Sequence, residues 1–183
     1  MAYAGNINKS IVAKLQGLNA NTMGFTGADG NLILSKKRVN GTVDFGLVGD
    51  VVAVNSGLLK ALLAENITPV FCAITHDGAG QLLNTNADTI AAEIAIACST
   101  DFDVTLMYCF EKNGVLADME DEATVIKNLT FEGYTTLREQ DAIHSGMLPK
   151  LENCFNALSR GVNAIGIGSP DMITGATHTN ITL

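Results

Sequence analysis

The chain has 183 residues, of which 47% are hydrophobic and 16% charged, with a formal net charge of -8. That length suits one large domain or two small lobes, and the composition is that of a globular protein rather than a disordered one. The acidity argues against a nucleic-acid or anionic-membrane surface, although a few local cations can still hold a phosphate. The apolar runs are too short to span a bilayer, and the first residues lack the basic and apolar regions of a signal peptide. Four scattered cysteines, Cys72, Cys98, Cys109 and Cys154, form no C-x-x-C pair and read as reduced core thiols of a cytoplasmic protein. His76, His144 and His178 are not at metal-ligand spacing, so no metal site is expected from the side chains alone.

Ile7, Ile11, Leu15 and Leu18 recur at helical spacing and predict an amphipathic helix over 6–18. Asn21 to Thr26 reads as a short strand ending in the turn cluster Gly27-Ala28-Asp29-Gly30. Asn31 to Val39 predicts a second strand with Lys36-Lys37-Arg38 at its end. Gly41 to Val54 continues as glycine-punctuated β structure, so 31–54 reads as antiparallel excursions beside a main sheet. Asn55 or Ser56 caps a helix to about Asn66. Pro69 to Ile74 is wholly apolar, as in a buried parallel strand. A turn over 75–80, a brief strand at Gln81 to Leu83 and a small-residue helix from Thr89 to Cys98 follow.

Val104 to Phe110 predicts another apolar strand, followed by Glu111-Lys112-Asn113-Gly114 and the acidic loop Asp118 to Glu122, read as solvated. Phe131 to Leu137 is a weak helix. Met147, Leu151, Cys154, Phe155, Leu158 and Val162 form a strong helical stripe that Gly161 is placed to end. Asn163 to Gly168 and Asn180 to Leu183 predict the last strands, with Gly166 to Pro170 as a strand-end turn. Strands and helices alternate from about residue 55 onward, which predicts an α/β fold on a mainly parallel sheet with right-handed crossovers. A lobe boundary is expected near Cys98 to Asp101.

Two stretches stand out chemically. Asn84-Thr85-Asn86-Ala87-Asp88 sets two amides and a carboxylate where a strand gives way to a helix, the usual ligand position of an open α/β sheet. Capping alone needs one such residue, so the stretch reads either as an over-decorated cap or as a ligand site. Ser145-Gly146-Met147-Leu148-Pro149-Lys150 opens the long helix, with Pro149 suited to a first turn. A lysine there is unfavourable for the helix dipole by roughly 0.3–1 kcal/mol, unless an anion is bound or the side chain reaches out to solvent. No P-loop and no dinucleotide fingerprint is present.

These motifs carry a family resemblance. Leu83-Asn84-Thr85-Asn86-Ala87-Asp88 resembles the N-x-N-A-D motif of the N-acetylglutamate kinases, in the amino acid kinase family. Gly146 to Glu152 resembles their G-M-x-x-K helix start, and Asn6-Ile7-Asn8-Lys9 their N-K helix. Gly24 to Asp29 is similar to G-[LF]-[ST]-G-x-D, and Val48-Gly49-Asp50-Val51 with Val54-Asn55 to V-G-[DE]-V…V-N. Gly175-Ala176-Thr177 is similar to a closing G-T turn. The resemblance implies an αβα sandwich, here lacking the first strands. It implies a substrate-binding lobe over 1–99, incomplete at its N-terminus, and a nucleotide-binding lobe over 100–183.

The implied reaction is phosphoryl transfer from ATP, with Mg2+, to the γ-carboxylate of N-acetyl-L-glutamate in arginine biosynthesis. In this reading Lys150 and Asp88 are catalytic, and Asn84 and Asn86 bind substrate. Tyr108, Phe110, Asn113, Gly114 and Gly146 line the nucleotide site. A homo-oligomer is expected, with no nucleic acid or membrane partner. Relatives begin with a lysine-plus-glycine loop that would precede Met1, so an N-terminally truncated chain is expected, as is dependence of activity on the missing segment. Thr75-His76 stands where many relatives have glycine, which opens the acyl group to N-succinylglutamate or another carboxylate. A non-catalytic nucleotide-binding or oligomerising fragment is the remaining alternative.

Overall fold

A computed structural model describes residues 2–118, 120–140, 143 and 146–183, with Asn40 described by its backbone only. Of the features singled out above, Ser145, at the approach to the long helix, and His144 lie outside the described residues. The chain divides into two compact units, Met1–Cys98 and Ser99–Leu183.

In the first unit a short π-helical turn, Ala2–Ile7, leads into α1 (Asn8–Gly17). Then come β1 (Thr22–Phe25), β2 (Ile33–Asn40), β3 (Val43–Val54), α2 (Ser56–Ala64), β4 (Thr68–Phe71), β5 (Ile74–His76), β6 (Leu82–Asn84) and α3 (Ala87–Cys98). The helix expected over 6–18 is thus present, but much of its apolar stripe is not buried in this unit: Ile7, Ile11 and Leu18 are exposed. Polar contacts dock it instead. The buried Asn8 amide donates to the Val70 carbonyl, and the Lys9 ammonium to the Gly24 carbonyl at 2.8 Å. Both acceptors belong to the parallel pair β1–β4, in register from Thr22↔Thr68 to Phe25↔Phe71.

The other four strands close into a small barrel in the order β2-β3-β6-β5. The hairpins β2–β3 and β5–β6 are antiparallel, while β2–β5 and β3–β6 are joined in parallel at Leu34↔His76 and Val48↔Asn84. The period-2 alternation of strands turns Ile33 and Ser35, and likewise Leu83, inward, and each is buried. The basic triplet lies inside β2 rather than at its end. Lys37 pairs with Asp44 and Arg38 with Asp50 across the hairpin.

The apolar run 69–74 is not one strand but parts of two. The Ile74 N–H donates to the Cys72 carbonyl at 2.8 Å, a two-residue turn that swings the chain from β4 into the barrel. The turn expected over 75–80 starts two residues later, because Thr75 and His76 pair with Leu83 and Leu82. Gly78 and Gly80 hold the positive φ that this turn needs. The unit's core joins Leu32, Ile33, Leu59 and Ile90, with Phe25, Phe71, Leu58 and Ile94 packed around them. Asn55 caps α2 by accepting from the Leu58 N–H. Ala92 and Ala95 on α3 are buried, as the small-residue pattern predicts.

The second unit contains β7 (Thr105–Cys109), β8 (Asn128–Thr130), α4 (Phe131–Glu139), α5 (Leu148–Ser159), β9 (Ala164–Gly168) and β10 (Thr179–Thr182). The strand order is β7-β9-β10-β8, parallel at both ends and antiparallel at β9–β10. β8 was not foreseen, since three residues carry no readable period. Gly166 lies inside β9 and Gly168 ends it, so both belong to the strand expected over 163–168 rather than to a turn. A Cβ on Gly168 would stand 2.8 Å from His178 Cβ and 3.2 Å from the Asn113 carbonyl oxygen, so only glycine fits. The stripe of α5 buries Leu151, Cys154, Phe155 and Ala157, and Gly161, at φ +103°, follows the helix end. Tyr134 and Phe131 of α4 pack on the Phe155 ring at 5.2 and 5.3 Å.

The cysteines divide. Cys154 is buried and Cys72 and Cys98 are half-buried, whereas Cys109 is exposed. It falls on the outward phase of β7, whose inward residues are Leu106 and Tyr108. The α/β class expected from the alternation is therefore built on parallel-rich sheets. Within the two units the strands are shared among a parallel pair, a barrel and a four-stranded sheet.

Candidate active site

In the first unit the stretch 84–88 joins the barrel to α3. Asn84 ends β6, with Val48 on one side and Ile74 on the other. Its side chain is exposed. Thr85 turns inward and is 3% exposed. Asn86 is the cap: its Oδ1 accepts from the Thr89 N–H at 3.0 Å, and its carbonyl accepts from Ile90. Asp88 sits half-buried in the first turn of α3, where a carboxylate complements the positive end of the helix dipole. Two of the three polar residues thus have local work, and Asn84 is the one in excess of what a helix start requires.

In the second unit a cleft of about 490 Å³ opens at the start of α5. Phe110, Val115, Leu116 and Met147 supply apolar wall, Gly114 and Gly146 lie on it without side chains, and Lys112 and Lys150 bring positive charge. The first turn of α5 carries Pro149, has no side-chain cap and contains no acidic residue. Its leading N–H groups therefore face no carboxylate of their own turn, which suits an anion. Lys150 Nζ lies 4.7 Å from the centroid of the Tyr108 ring, whose face attracts the ammonium. Lys112 donates to the Glu122 carboxylate, and that bond, ahead of the fields of Glu122, Glu111 and Glu120, holds its ammonium above the ordinary lysine range.

The predicted residues divide accordingly. Phe110, Gly114, Gly146 and Lys150 line the cleft together. Tyr108, buried in β7, lies beneath Lys150 rather than on the wall. The Asn113 carbonyl packs against Gly168, and Asn113 is not among the lining residues. Asn84, Asn86 and Asp88 cluster at the barrel end of the first unit.

Sequence reasoning assigned the segment from Tyr108 to Gly114 to the nucleotide, which takes in Glu111 and Lys112, but did not reach Glu120. The acidic run that holds Glu120 carries no spacing that marks one member from another. The acidic loop is not merely solvated: Asp118 and Asp121 accept backbone N–H bonds from Glu120 and Ala123, and Glu120 reaches the cleft.

The cleft suits a nucleotide, with apolar and aromatic walls for a base and two cations for phosphates. Among the described residues no group of three or more His, Cys, Asp or Glu is placed to hold a metal ion. Glu111 and Glu120 also line the cleft.

The model of the amino acid kinase family matches residues 1–169. The acetylglutamate kinase of Phocaeicola vulgatus is 50% identical over 181 residues, covering 99% of this chain and 70% of that enzyme. The acetylglutamate kinase of Cytophaga hutchinsonii is 46% identical over 184 residues, covering 100% of this chain and 70% of that enzyme. Among solved structures, an N-acetylglutamate synthase from Neisseria gonorrhoeae, complexed with coenzyme A and N-acetyl-glutamate, superposes with a TM-score of 0.81 at 17% identity. That match covers 98% of this chain and 42% of the other, and it is a likeness of fold. Family and relatives together support a phosphotransferase with a carboxyl acceptor. On the strength of the model match and the relatives near 50% identity, the chain belongs to the amino acid kinase family.

Proposed function

We propose that the chain works as an N-acylglutamate kinase of arginine biosynthesis. It would transfer the γ-phosphoryl group of ATP to the γ-carboxylate of N-acetyl-L-glutamate. The observation that carries this reading is Lys150, placed over Tyr108 at an uncapped helix start in a cleft of nucleotide size. The 50% identity to the Phocaeicola vulgatus enzyme supports the choice of acceptor.

The chemistry asks little of the protein beyond placement and charge. A γ-carboxylate is already ionised near pH 7, so no general base is required. The transferring phosphoryl group passes through a loose transition state whose charge must be neutralised. Lys150 and the leading N–H groups of α5 supply that neutralisation. Glu111 and Glu120 are the residues that would hold Mg2+ arriving with the phosphates, and the ion would supply further charge neutralisation there. Phe110, Gly114 and Gly146 seat the nucleotide, with Asn113 on the same segment, and Tyr108 holds the Lys150 ammonium in place.

In the first unit Asn84 and Asn86 bind the acylglutamate, and Asp88, in the first turn of α3, is the catalytic carboxylate. The first unit is thus assigned the acceptor and the second the nucleotide. Cytoplasmic location and self-association complete the reading, the latter supported by the exposed Ile7, Ile11 and Leu18 along α1.

Trapping the acyl phosphate with hydroxylamine tests this directly. Hydroxamate forming from ATP, Mg2+ and N-acetylglutamate supports the proposal. Hydroxamate from N-succinylglutamate alone moves the acyl assignment to the larger group. Product from neither acceptor, with no calorimetric binding of either, rules the function out.

A further inference from the structure

Between the two exposed asparagines lies one buried residue. Thr85 Oγ1 stands 2.8 Å from Thr75 Oγ1, and the two side chains are 3% and 0% exposed. The backbone ladder of β5–β6 ends at the pair Ile74↔Asn84. Beyond it Thr85 is held three ways. Its N–H donates to the Ala73 carbonyl at 3.1 Å, its hydroxyl pairs with Thr75, and Gly49 packs so close that an added Cβ would stand 2.8 Å from Thr85 Oγ1. Asn86 then caps α3 at once. One buried residue therefore couples the end of the barrel to the start of the helix and sets how Asn84 and Asn86 diverge. Isolated buried hydroxyls pack less favourably than methyls, so a paired pair at such a joint specifies geometry at the expense of apolar burial.

We propose that the Thr75–Thr85 hydroxyl pair is a positioning element of the acylglutamate site, locking the spacing of Asn84 and Asn86 from beneath. This rests on the assignment of those asparagines to the acceptor. Thr75 is also the residue that precedes His76, whose Nδ1 accepts from the Gly78 N–H while Nε2 meets Asn31 Oδ1 at 2.8 Å. The pair therefore anchors both sides of the β5–β6 hairpin end.

The test is a set of variants read by calorimetry, with ATP binding as the internal control. Replacing both threonines by valine removes the two polar groups together and leaves no orphan, so the fold tolerates it better than either single change. Thr75→Val with Thr85→Val is expected to keep its melting temperature and its ATP affinity while binding N-acetylglutamate about tenfold more weakly, the scale on which slight misplacement acts. Thr75→Ser with Thr85→Ser keeps both hydroxyls and is expected to bind close to the parent.

Unchanged acceptor affinity in the valine pair overturns the proposal. So does an equal loss in the serine pair, which would make methyl packing the cause. If the valine pair does not fold, Thr85→Val alone replaces it, and parent-like affinity there overturns the proposal just as well. A parent protein that binds neither N-acetylglutamate nor N-succinylglutamate defeats the functional reading first and this one with it. A parent that binds and variants that do not differ defeat this one alone.

Discussion

The starts of α3 and α5 answer the same physical need in opposite ways. Each helix begins with N–H groups that have no partner within the helix. At α3 the chain satisfies them itself: Asn86 accepts from Thr89, and Asp88 brings a carboxylate to the positive end. At α5 there is no side-chain cap and no acid, and the charged residue in the first turn is Lys150. The first helix start is complete as it stands. The second has no side-chain cap among the described residues, and in the proposed reading an anion completes it. A capped start can serve as a fixed platform for amides such as Asn84, while an uncapped start with a cation can take charge that moves during a reaction.

Changes at the two starts should therefore fail differently. The largest effect is expected at Lys150. Lys150→Ala should lower kcat by about 100-fold to 1000-fold, as loss of one charge-stabilising group does, with the acceptor KM little altered. Steady-state kinetics decide it, and a rise in KM at constant kcat would contradict the role. Next comes the cap. Asn86→Ala should cost about 1 kcal/mol in denaturant unfolding. Asn86→Asp should keep that stability while weakening acceptor binding, separating cap from ligand contact.

A third change converts the open start into a closed one. Met147→Asp adds a cap and an acid to α5 and should stabilise the protein by roughly 0.5–1 kcal/mol. The same change should weaken ATP binding, because the new carboxylate occupies the place of the anion. Stability and nucleotide affinity rising together would show that the start of α5 does not bind an anion.

The smallest effect concerns pH on the self-satisfied side. Asp77 accepts from the Ala79 N–H and then the Gln81 N–H, and these bonds hold its carboxyl below the ordinary range. A depressed folded-state value means that the contribution is in place above the ordinary carboxylate range and disappears as pH falls through the lowered one. Amide exchange at Ala79 and Gln81 should accordingly quicken on acidification, with little change in global stability because the group is exposed.

Much of the fold was legible where periodicity is long. The stripe of α5, the apolar alternation of β7 and the Asn55 cap are all in the structure near where spacing puts them. The misreadings are short-range. The run 69–74 looked like one strand because apolarity does not show a turn made by a single backbone bond between Ile74 and Cys72. β8 is three residues long, below any period. Gly166 and Gly168 looked like a turn, since a glycine demanded by a neighbour's backbone reads the same as one demanded by φ. Of the residues assigned to the site, Asn84, Asp88 and Lys150 stand at element boundaries, where residue type alone singles them out. Glu120 was passed over because only the folded loop brings it to the cleft.

Asn84-Thr85-Asn86-Ala87-Asp88 and Gly146 to Lys150 were determined by the sequence itself, as a polar strand-to-helix joint and a cationic helix start. Helix ends are local, and capping and dipole chemistry act within one turn. What needed the tertiary structure was which member of each motif is committed to the fold. Thr85 looks like the least informative residue of its motif, yet it is the buried one, because its partner Thr75 lies ten residues away and meets it only when β5 and β6 pair as a hairpin. Tyr108 is likewise a strand residue by sequence and becomes the support of Lys150 only through packing. Local chemistry follows from neighbours in the chain, whereas burial and pairing follow from neighbours in space.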